Sequence, residues 1–223
     1  NAADTAITCT QTNTRKQATL TLVKTWVNGL NGDTATVTSS GFANNASTGL
    51  STSTGNNTTT GSSVAVFAGE SGTISEVLSN AGNYTATLAC SGNATPLSGN
   101  TLTINAADTA ITCTQTNTRK QAQFRFVKQW GPNSKTGDQA TINATTGLEN
   151  NTTTFSPTAP TDRDSPYVIV YAGEVATLPA EAMAGGALAN YEVVLACDAG
   201  SLSGKDGKAR NTLTINSPDE GKE

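Results

Sequence analysis

One segment of the sequence occurs twice without a single change, and it constrains the fold more than any other feature. Residues 1–18 and residues 105–122 both read NAADTAITCTQTNTRKQA. The similarity continues in further pairs of segments: 17–26 with 121–130, 64–70 with 168–174, and 83–90 with 190–197. Because the repeat is about 100 residues long, each copy is a whole domain rather than one coil of a solenoid.

Within one repeat, apolar residues alternate with polar ones in the manner of β-strands. Clusters of Asn, Gly, Ser and Thr, such as STSTGNNTTTGSS (51–63), separate the strands and are predicted to be loops. Only EAMAGGALA (181–189) has the composition of a helical turn. About seven short strands per hundred residues predict an all-β fold of two tandem Ig-like β-sandwich domains. The predicted strands of the first repeat are 18–26, 33–39, 64–68, 84–90, 102–104 and 111–118.

The repeat also predicts where the domains begin. Residues 17–120 form the first predicted sandwich, and residues 121–223 form a second one that has no copy of the last strand, ITCTQTNT. Residues 1–16 supply such a strand without a sandwich before it. We expect this N-terminal strand to complete the second domain of a neighbouring unit. Either the units are windows of one longer repeat protein, or separate subunits exchange strands head to tail.

The four cysteines predict disulfides rather than a metal site. None belongs to a CxxC pair and the chain has no histidine, so zinc and iron–sulfur sites lack their ligand spacing, and a catalytic triad lacks its base. Cys90 and Cys113 lie in predicted strands of the first domain, and we predict that they are bonded. Cys9 and Cys197 have no partner within their own repeats, so we predict that they pair between adjacent units.

The charge and hydropathy of the chain exclude several classes of function. The net charge is −4 and there is no run of Lys or Arg, which argues against nucleic-acid binding. No apolar stretch is long enough to insert into a membrane. The acidic residues are scattered over predicted turns rather than paired for glycoside chemistry. We therefore expect neither an enzyme, nor a cofactor, nor a metal site.

Three short motifs resemble prealbumin-like domains of the SpaA/CnaB type: LVK-W (22–26), NYT (83–85) and TNTRK (116–120). Such domains occur in Gram-positive pilins and surface adhesins, and in long repetitive surface proteins of Gram-negative bacteria. The resemblance implies a transthyretin-like, prealbumin-like sandwich with a structural or adhesive role. We therefore expect an extracellular repeat module at a bacterial cell surface, in a filament or giant adhesin, whose partners are copies of itself.

The resemblance also implies a self-made isopeptide bond. In that family a first-strand Lys is joined to a last-strand Asn with the help of a buried acid. The matching residues in the first domain are Lys24 and Asn117. In the second domain, Lys128 would need the Asn of a following copy, the equivalent of Asn13.

The acid of that family pattern is replaced in this sequence. It usually follows the Tyr by four places, and those positions hold Leu88 and Leu195. Glu76 and Glu181 could take its role only if they point inward, since a charged Lys without a buried acid is a poor nucleophile. We therefore expect Lys24 to be a solvated strand residue and the disulfide to be the covalent staple.

A ligand-binding adhesin domain, which grips glycan or matrix, is the alternative function. It would use the loops 41–63 and 146–166, which differ most between the repeats. Trp26 and Trp130 are single aromatics on the first strand of each repeat, so we expect them to pack in the core or between domains rather than to stack on sugars. The acidic segment TDRDS (161–165) is typical of a solvated turn.

Overall fold

Residues 6–217, the part of the chain that the computed structural model describes, form an all-β fold of short antiparallel strands. The chain divides into two units. Unit 1 holds the described residues up to Val27, together with Asn31–Ser79 and Ala86–Thr116. Unit 2 holds Asn28–Leu30, Asn80–Thr85 and the chain from Asn117 onwards.

Two sheets make up unit 1. Their strands are β1 (Gln17–Val27), β2 (Thr34–Ser40), β3 (Ser51–Thr52), β4 (Asn57–Thr60), β5 (Val64–Phe67), β6 (Ser71–Leu78), β7 (Tyr84–Ser91), β8 (Thr101–Thr103) and β9 (Ala110–Arg119). One sheet has the order β4-β1-β9-β7, with β5 pairing the first half of β1 and β4 its second half. The other sheet has the order β3-β2-β6-β8.

Alternation along β1 builds the core of unit 1. Every second side chain of this strand is buried, and Leu20 and Leu22 are completely removed from solvent. Ile111 and Cys113 of β9 join the same cluster. Each buried Leu or Ile contributes about 1.5–3 kcal/mol of transfer free energy, so the core rests on a few such residues from both sheets.

The segment predicted as the loop 51–63 contains two strands, so that prediction is wrong in part. β4 pairs with β1, with Thr59 opposite Lys24, and the hydroxyls of Thr59 and Ser51 lie 2.8 Å apart. Thr is β-branched and favours strands even where no apolar residue alternates with it. The strand β6 was not predicted from the sequence, because Gly72 and Glu76 interrupt the alternation of apolar residues along its inward face.

The strands of unit 2 are shorter. They are β10 (Gln121–Phe124), β11 (Val127–Lys128), β12 (Ala140–Thr141), β13 (Arg163–Asp164), β14 (Val168–Tyr171), β15 (Val175–Leu178), β16 (Ala182–Met183), β17 (Ser201–Leu202) and β18 (Asn211–Thr214). β10 pairs with β14, β11 with β13, β12 with β16, and β18 lies between β15 and β17. There are 3₁₀ turns at Ala81–Asn83 and at Ala184–Asn190, the latter overlapping the predicted helical segment.

Repeated sequences do not form equal strands in the two units. β1 is continuous, whereas its counterpart in unit 2 is broken into β10 and β11. The counterpart of β7, residues 191–198, has one isolated bridge, from Val194 to Asp206, so the strand expected there is absent. In unit 1, β9 lies between β1 and β7. Among residues 117–217, no strand of unit 2 takes that position. β10 pairs with β14, and the backbone of residues 193–195 bonds to residues 205–207, so neither segment pairs on the side where β9 lies in unit 1.

Candidate functional sites

A disulfide joins the two strands at one edge of unit 1. Cys90 of β7 is bonded to Cys113 of β9, the pairing that the sequence predicts, and Cys113 is completely buried. The two residues are 23 apart in sequence. A loop of that size restricts the unfolded chain by about 3 kcal/mol on the chain-entropy estimate. The bond therefore ties the last strand of unit 1 to its neighbour.

Lys24 is buried, and the expectation that it is solvated is wrong. It has the same parity along β1 as Leu20, Leu22 and Trp26, so its side chain points into the unit. Its Nζ atom lies 3.1 Å from Oε1 of Glu76 and 4.4 Å from the centre of the Trp26 ring. Burial lowers the pKa of Lys24, and the charge and hydrogen bond of Glu76 oppose that shift.

Glu76 points inward, as it must if it is to replace the acid of the family pattern. Its side chain is only 10% exposed and points inward from β6, where Glu76 lies opposite Val37 of β2. Asn117 is completely buried on β9, the strand beside β1 in the sheet order. The structure therefore brings Lys24 and Glu76 together and places Asn117 on a neighbouring strand with its side chain out of solvent.

Unit 2 contains a second buried pair of the same kind. Nζ of Lys128 donates to both carboxylate oxygens of Glu181, at 3.0 and 2.9 Å. The Lys128 side chain is 13% exposed and that of Glu181 is 7% exposed. Lys128 also lies over the Trp130 ring, 4.6 Å from its centre. A first-strand Lys beside an inward Glu and a Trp is thus a repeated arrangement.

Arg119, at the end of β9, is held by the turn that follows β14. Its Nε donates to the carbonyl of Ala172 at 2.7 Å, and Nη1 lies 2.9 Å from Oε1 of Glu149. The guanidinium also lies over the ring of Tyr171. Sequence reasoning missed this residue, although its place in the unchanged repeat was a signal. The arginine fixes the end of the last strand.

Arg15 makes similar contacts one repeat earlier, except that its carboxylate partner, Glu70, is the counterpart of Glu174 and not of Glu149. Its Nε donates to the carbonyl of Ala68 at 2.8 Å, Nη1 lies 3.4 Å from Oε1 of Glu70, and the guanidinium lies over the Phe67 ring. The segment before Arg15 has no such support. Residues 6–14 are exposed, and Ile7 is 76% exposed.

An open groove lies in unit 2, between β10–β11 and residues 191–198. Two adjoining cavities, of about 520 and 410 Å³, make up this groove. The walls of the larger cavity are mostly apolar, with Phe124 and Phe126 in edge-to-face contact on one side and Leu195 on the other. The second cavity is more polar, because Lys128 and Glu181 line it. The Cys197 thiol lies at the groove and forms no disulfide in this chain; burial, and then the nearby Asp198, raise its pKa. Cys9 is exposed and also unbonded.

The aromatic residues of the repeats are mostly packed. Trp26 is buried and its indole nitrogen donates to Ser51, as expected of a core residue. Trp130 is half-buried, edge-to-face with Tyr191. Phe42 and Phe155, which lie in the two variable loops, are both buried in their cores. Those loops therefore present no aromatic platform, and glycan or matrix binding stays a prediction.

Two kinds of feature are absent from residues 6–217. No helix there has the length and apolar character needed to cross a membrane. No group of three or more metal-ligating side chains converges in that part of the chain.

Comparisons with known proteins add little to this geometry. No protein-family model matches the sequence, and no curated protein matches it. Among solved structures, a leucine-rich repeat protein from Bacteroides thetaiotaomicron is similar at 11% identity and a TM-score of 0.23. That match covers 75% of this chain and 22% of the other, so the chain spans less than a quarter of that protein's length. A similarity at this score carries no argument about fold or function.

Proposed function

We propose that this chain is a structural repeat module of a bacterial extracellular filament or giant surface adhesin. It consists of two tandem Ig-like, prealbumin-like β-sandwich domains that join head to tail, by strand complementation or as part of a continuous chain. One observation carries the proposal: β9 is an internal strand of unit 1, and its sequence recurs unchanged at residues 6–15. A module whose completing strand is repeated in this way is suited to linear arrays.

The disulfide of unit 1 supports an extracellular location for this protein. The disulfide between Cys90 and Cys113 joins β7 to β9, and bonds of this kind persist in oxidising compartments. It fastens the strand through which the chain continues to Arg119 and unit 2. The disulfide, in addition to the backbone hydrogen bonds of the sheet, would then resist a force applied to that strand.

An isopeptide bond between Lys24 and Asn117 is the second staple in this proposal. The buried amine of Lys24, whose pKa is lowered by burial, would attack the side-chain carbonyl carbon of Asn117. An N–C bond forms, the C–N bond of the Asn117 amide breaks, and ammonia leaves with the proton that the amine gives up. Glu76, 3.1 Å from Nζ, is placed to shuttle that proton.

Electron microscopy of cells that make the protein tests the proposed function. Gold-labelled antibodies against the purified chain should decorate filaments or fibrils on intact cells. Antibodies pre-absorbed with the chain serve as the control for specificity. Labelling that needs permeabilised cells, with none at the surface of intact ones, would overturn the proposal.

A further inference from the structure

We infer that the groove of unit 2 is an acceptor for one strand, formed on docking by residues 6–15 of a second copy of this chain, and that Cys9 of the inserted strand bonds to Cys197. This inference rests on the proposed function and names the partner and the register that it requires. The occupant is a peptide segment that forms no strand in the isolated chain, rather than a small ligand.

Unit 1 provides the template for the occupant. There the strand between β1 and β7 is β9, Ala110–Arg119, and residues 6–15 have the identical sequence. In unit 2, the counterparts of β1 and β7 flank the groove. β10 and β11 pair with β14 and β13, and residues 191–198 bridge to Asp206, so none of the described pairings crosses the groove. Edge backbone groups of this kind are satisfied by addition of a strand.

The side chains of the donor segment match the groove. Along β9 the inward positions are Ile111, Cys113, Gln115, Asn117 and Arg119, which are all buried. Their equivalents in the donor are Ile7, Cys9, Gln11, Asn13 and Arg15. The exposed Ile7 would move from water into a cavity walled by aromatic and aliphatic side chains, and this burial of apolar surface favours insertion.

The register follows from the cysteines. Cys90 and Cys113 are bonded in unit 1, and their counterparts by repeat are Cys197 and Cys9. Copying that register sets Cys9 of the donor beside Cys197 of the acceptor. It also places Asn13 at the position that Asn117 holds on β9, on the side of the groove that carries Lys128 and Glu181.

The donor strand is also presented for insertion. Arg15 is held by Ala68 and Glu70 of its own unit 1, as Arg119 is held by Ala172. Ahead of Arg15 the segment is exposed. Anchoring one end lowers the conformational entropy that the strand loses when it docks.

The covalent step needs an external oxidant. A small-molecule disulfide, such as oxidised glutathione, is attacked by one thiolate to give a mixed disulfide and one reduced thiol. The second cysteine then attacks that mixed disulfide, the Cys9–Cys197 bond forms, and the second reduced thiol leaves. Two protein thiols are oxidised and one small disulfide is reduced, so electrons and protons balance.

The experiment uses the full chain with oxidised glutathione, followed by denaturing electrophoresis without reductant. The wild type should form a ladder of disulfide-linked multimers, and peptide mapping should identify Cys9 bonded to Cys197. Cys9→Ser alone and Cys197→Ser alone should form no ladder. An equimolar mixture of the two variants, one carrying a mass tag, should form a dimer with one copy of each.

A second variant separates strand insertion from random collision of thiols. Thr10→Pro removes one backbone donor from the middle of the exposed segment, whereas Thr10→Val keeps it. The proline variant should form the bond roughly tenfold more slowly or worse, and the valine variant at about the wild-type rate. Circular dichroism checks that both variants retain the fold.

Two outcomes would overturn the inference: pairing of Cys9 with Cys9 as the main product, or equal rates for the proline and valine variants. Either result would leave the proposed function standing if the antibody still decorates filaments, because a continuous chain would then connect the modules. Conversely, a Cys9–Cys197 ladder from a protein that never reaches the cell surface would uphold the strand acceptor and reject the filament.

Discussion

The ammonium nitrogen of Lys24 lies 3.1 Å from a carboxylate oxygen of Glu76, with the lysine side chain completely buried. Lys128 and Glu181 repeat this pairing in unit 2, at 2.9 Å. Two buried ion pairs at equivalent lysines are costly features, because desolvation of both charges offsets much of their attraction. Their recurrence points to a use for the lysine beyond packing.

The first prediction concerns the mass of the protein under reducing conditions. If Lys24 and Asn117 are joined, the intact mass is lower than the sequence mass by one ammonia. Glu76→Gln should restore the full mass, because the group that moves the proton is lost. Glu149→Gln, at a carboxylate whose side chain is 52% exposed, is the matched control and should keep the deficit. A wild-type chain of full sequence mass would contradict the isopeptide.

The second prediction concerns the stability of unit 2. Lys128→Met leaves the buried Glu181 without its partner and should lower the free energy of unfolding by about 3–5 kcal/mol. The double variant Lys128→Met with Glu181→Leu should recover most of that loss, since no buried charge remains. Urea unfolding followed by circular dichroism measures both.

An exposed pair in the same unit supplies the control for that experiment. Arg125 and Asp164 are 2.7 Å apart, with side chains 33% and 43% exposed. Arg125→Met should therefore change the free energy of unfolding by less than about 1 kcal/mol. Equal effects of Arg125→Met and Lys128→Met would show that burial does not determine how much each ion pair contributes to the free energy of unfolding.

The third prediction concerns the disulfide of unit 1. Replacing both Cys90 and Cys113 by Ser should lower the free energy of unfolding of this unit by about 2–5 kcal/mol. Both are replaced so that no single thiol is left. Calorimetry of this variant should show only the transition of unit 1 shifted. An unchanged melting profile would mean that the sheet does not depend on the staple.

The fourth prediction concerns the reactivity of Cys197. Burial raises the pKa of this thiol, so less thiolate is present at any pH below that pKa. Alkylation by iodoacetamide should be slower in the native protein than in urea. The difference between the two rates should become smaller as the pH is raised above the ordinary pKa of a thiol, because Cys197 then ionises in the native protein as well as in urea. Mass spectrometry of the labelled peptide measures both alkylation rates. Equal rates near neutral pH would show that the Cys197 thiol is not buried.

The sequence predicts much of this architecture because its strongest signals are local. The alternation Ala18, Leu20, Leu22 and Trp26 predicts β1 and its inward face, and two cysteines in predicted strands correctly predict their disulfide. The burial of Lys24 was missed although its parity matched, because lysine is rarely buried without a partner and Glu76 is distant in sequence.

Other features depend on contacts that no local pattern encodes. β4 is a run of Asn and Thr that forms a strand because β1 pairs with it. Conversely, residues 191–198 alternate as β7 does yet form only an isolated bridge, since no last strand lies beside them in the described part of unit 2. Strand formation here is decided by the neighbour as much as by the sequence.

Hydrogen exchange over residues 191–198 tests most directly the claim that residues 117–217 leave the position beside this segment without a strand. In a dilute, monomeric sample these amides should exchange much faster than those of β7, Tyr84–Ser91, whose sequence they repeat. A synthetic peptide of residues 6–16 should then slow exchange both in 191–198 and in β10. Equal protection of the two segments without the peptide, or no change when it is added, would contradict the account.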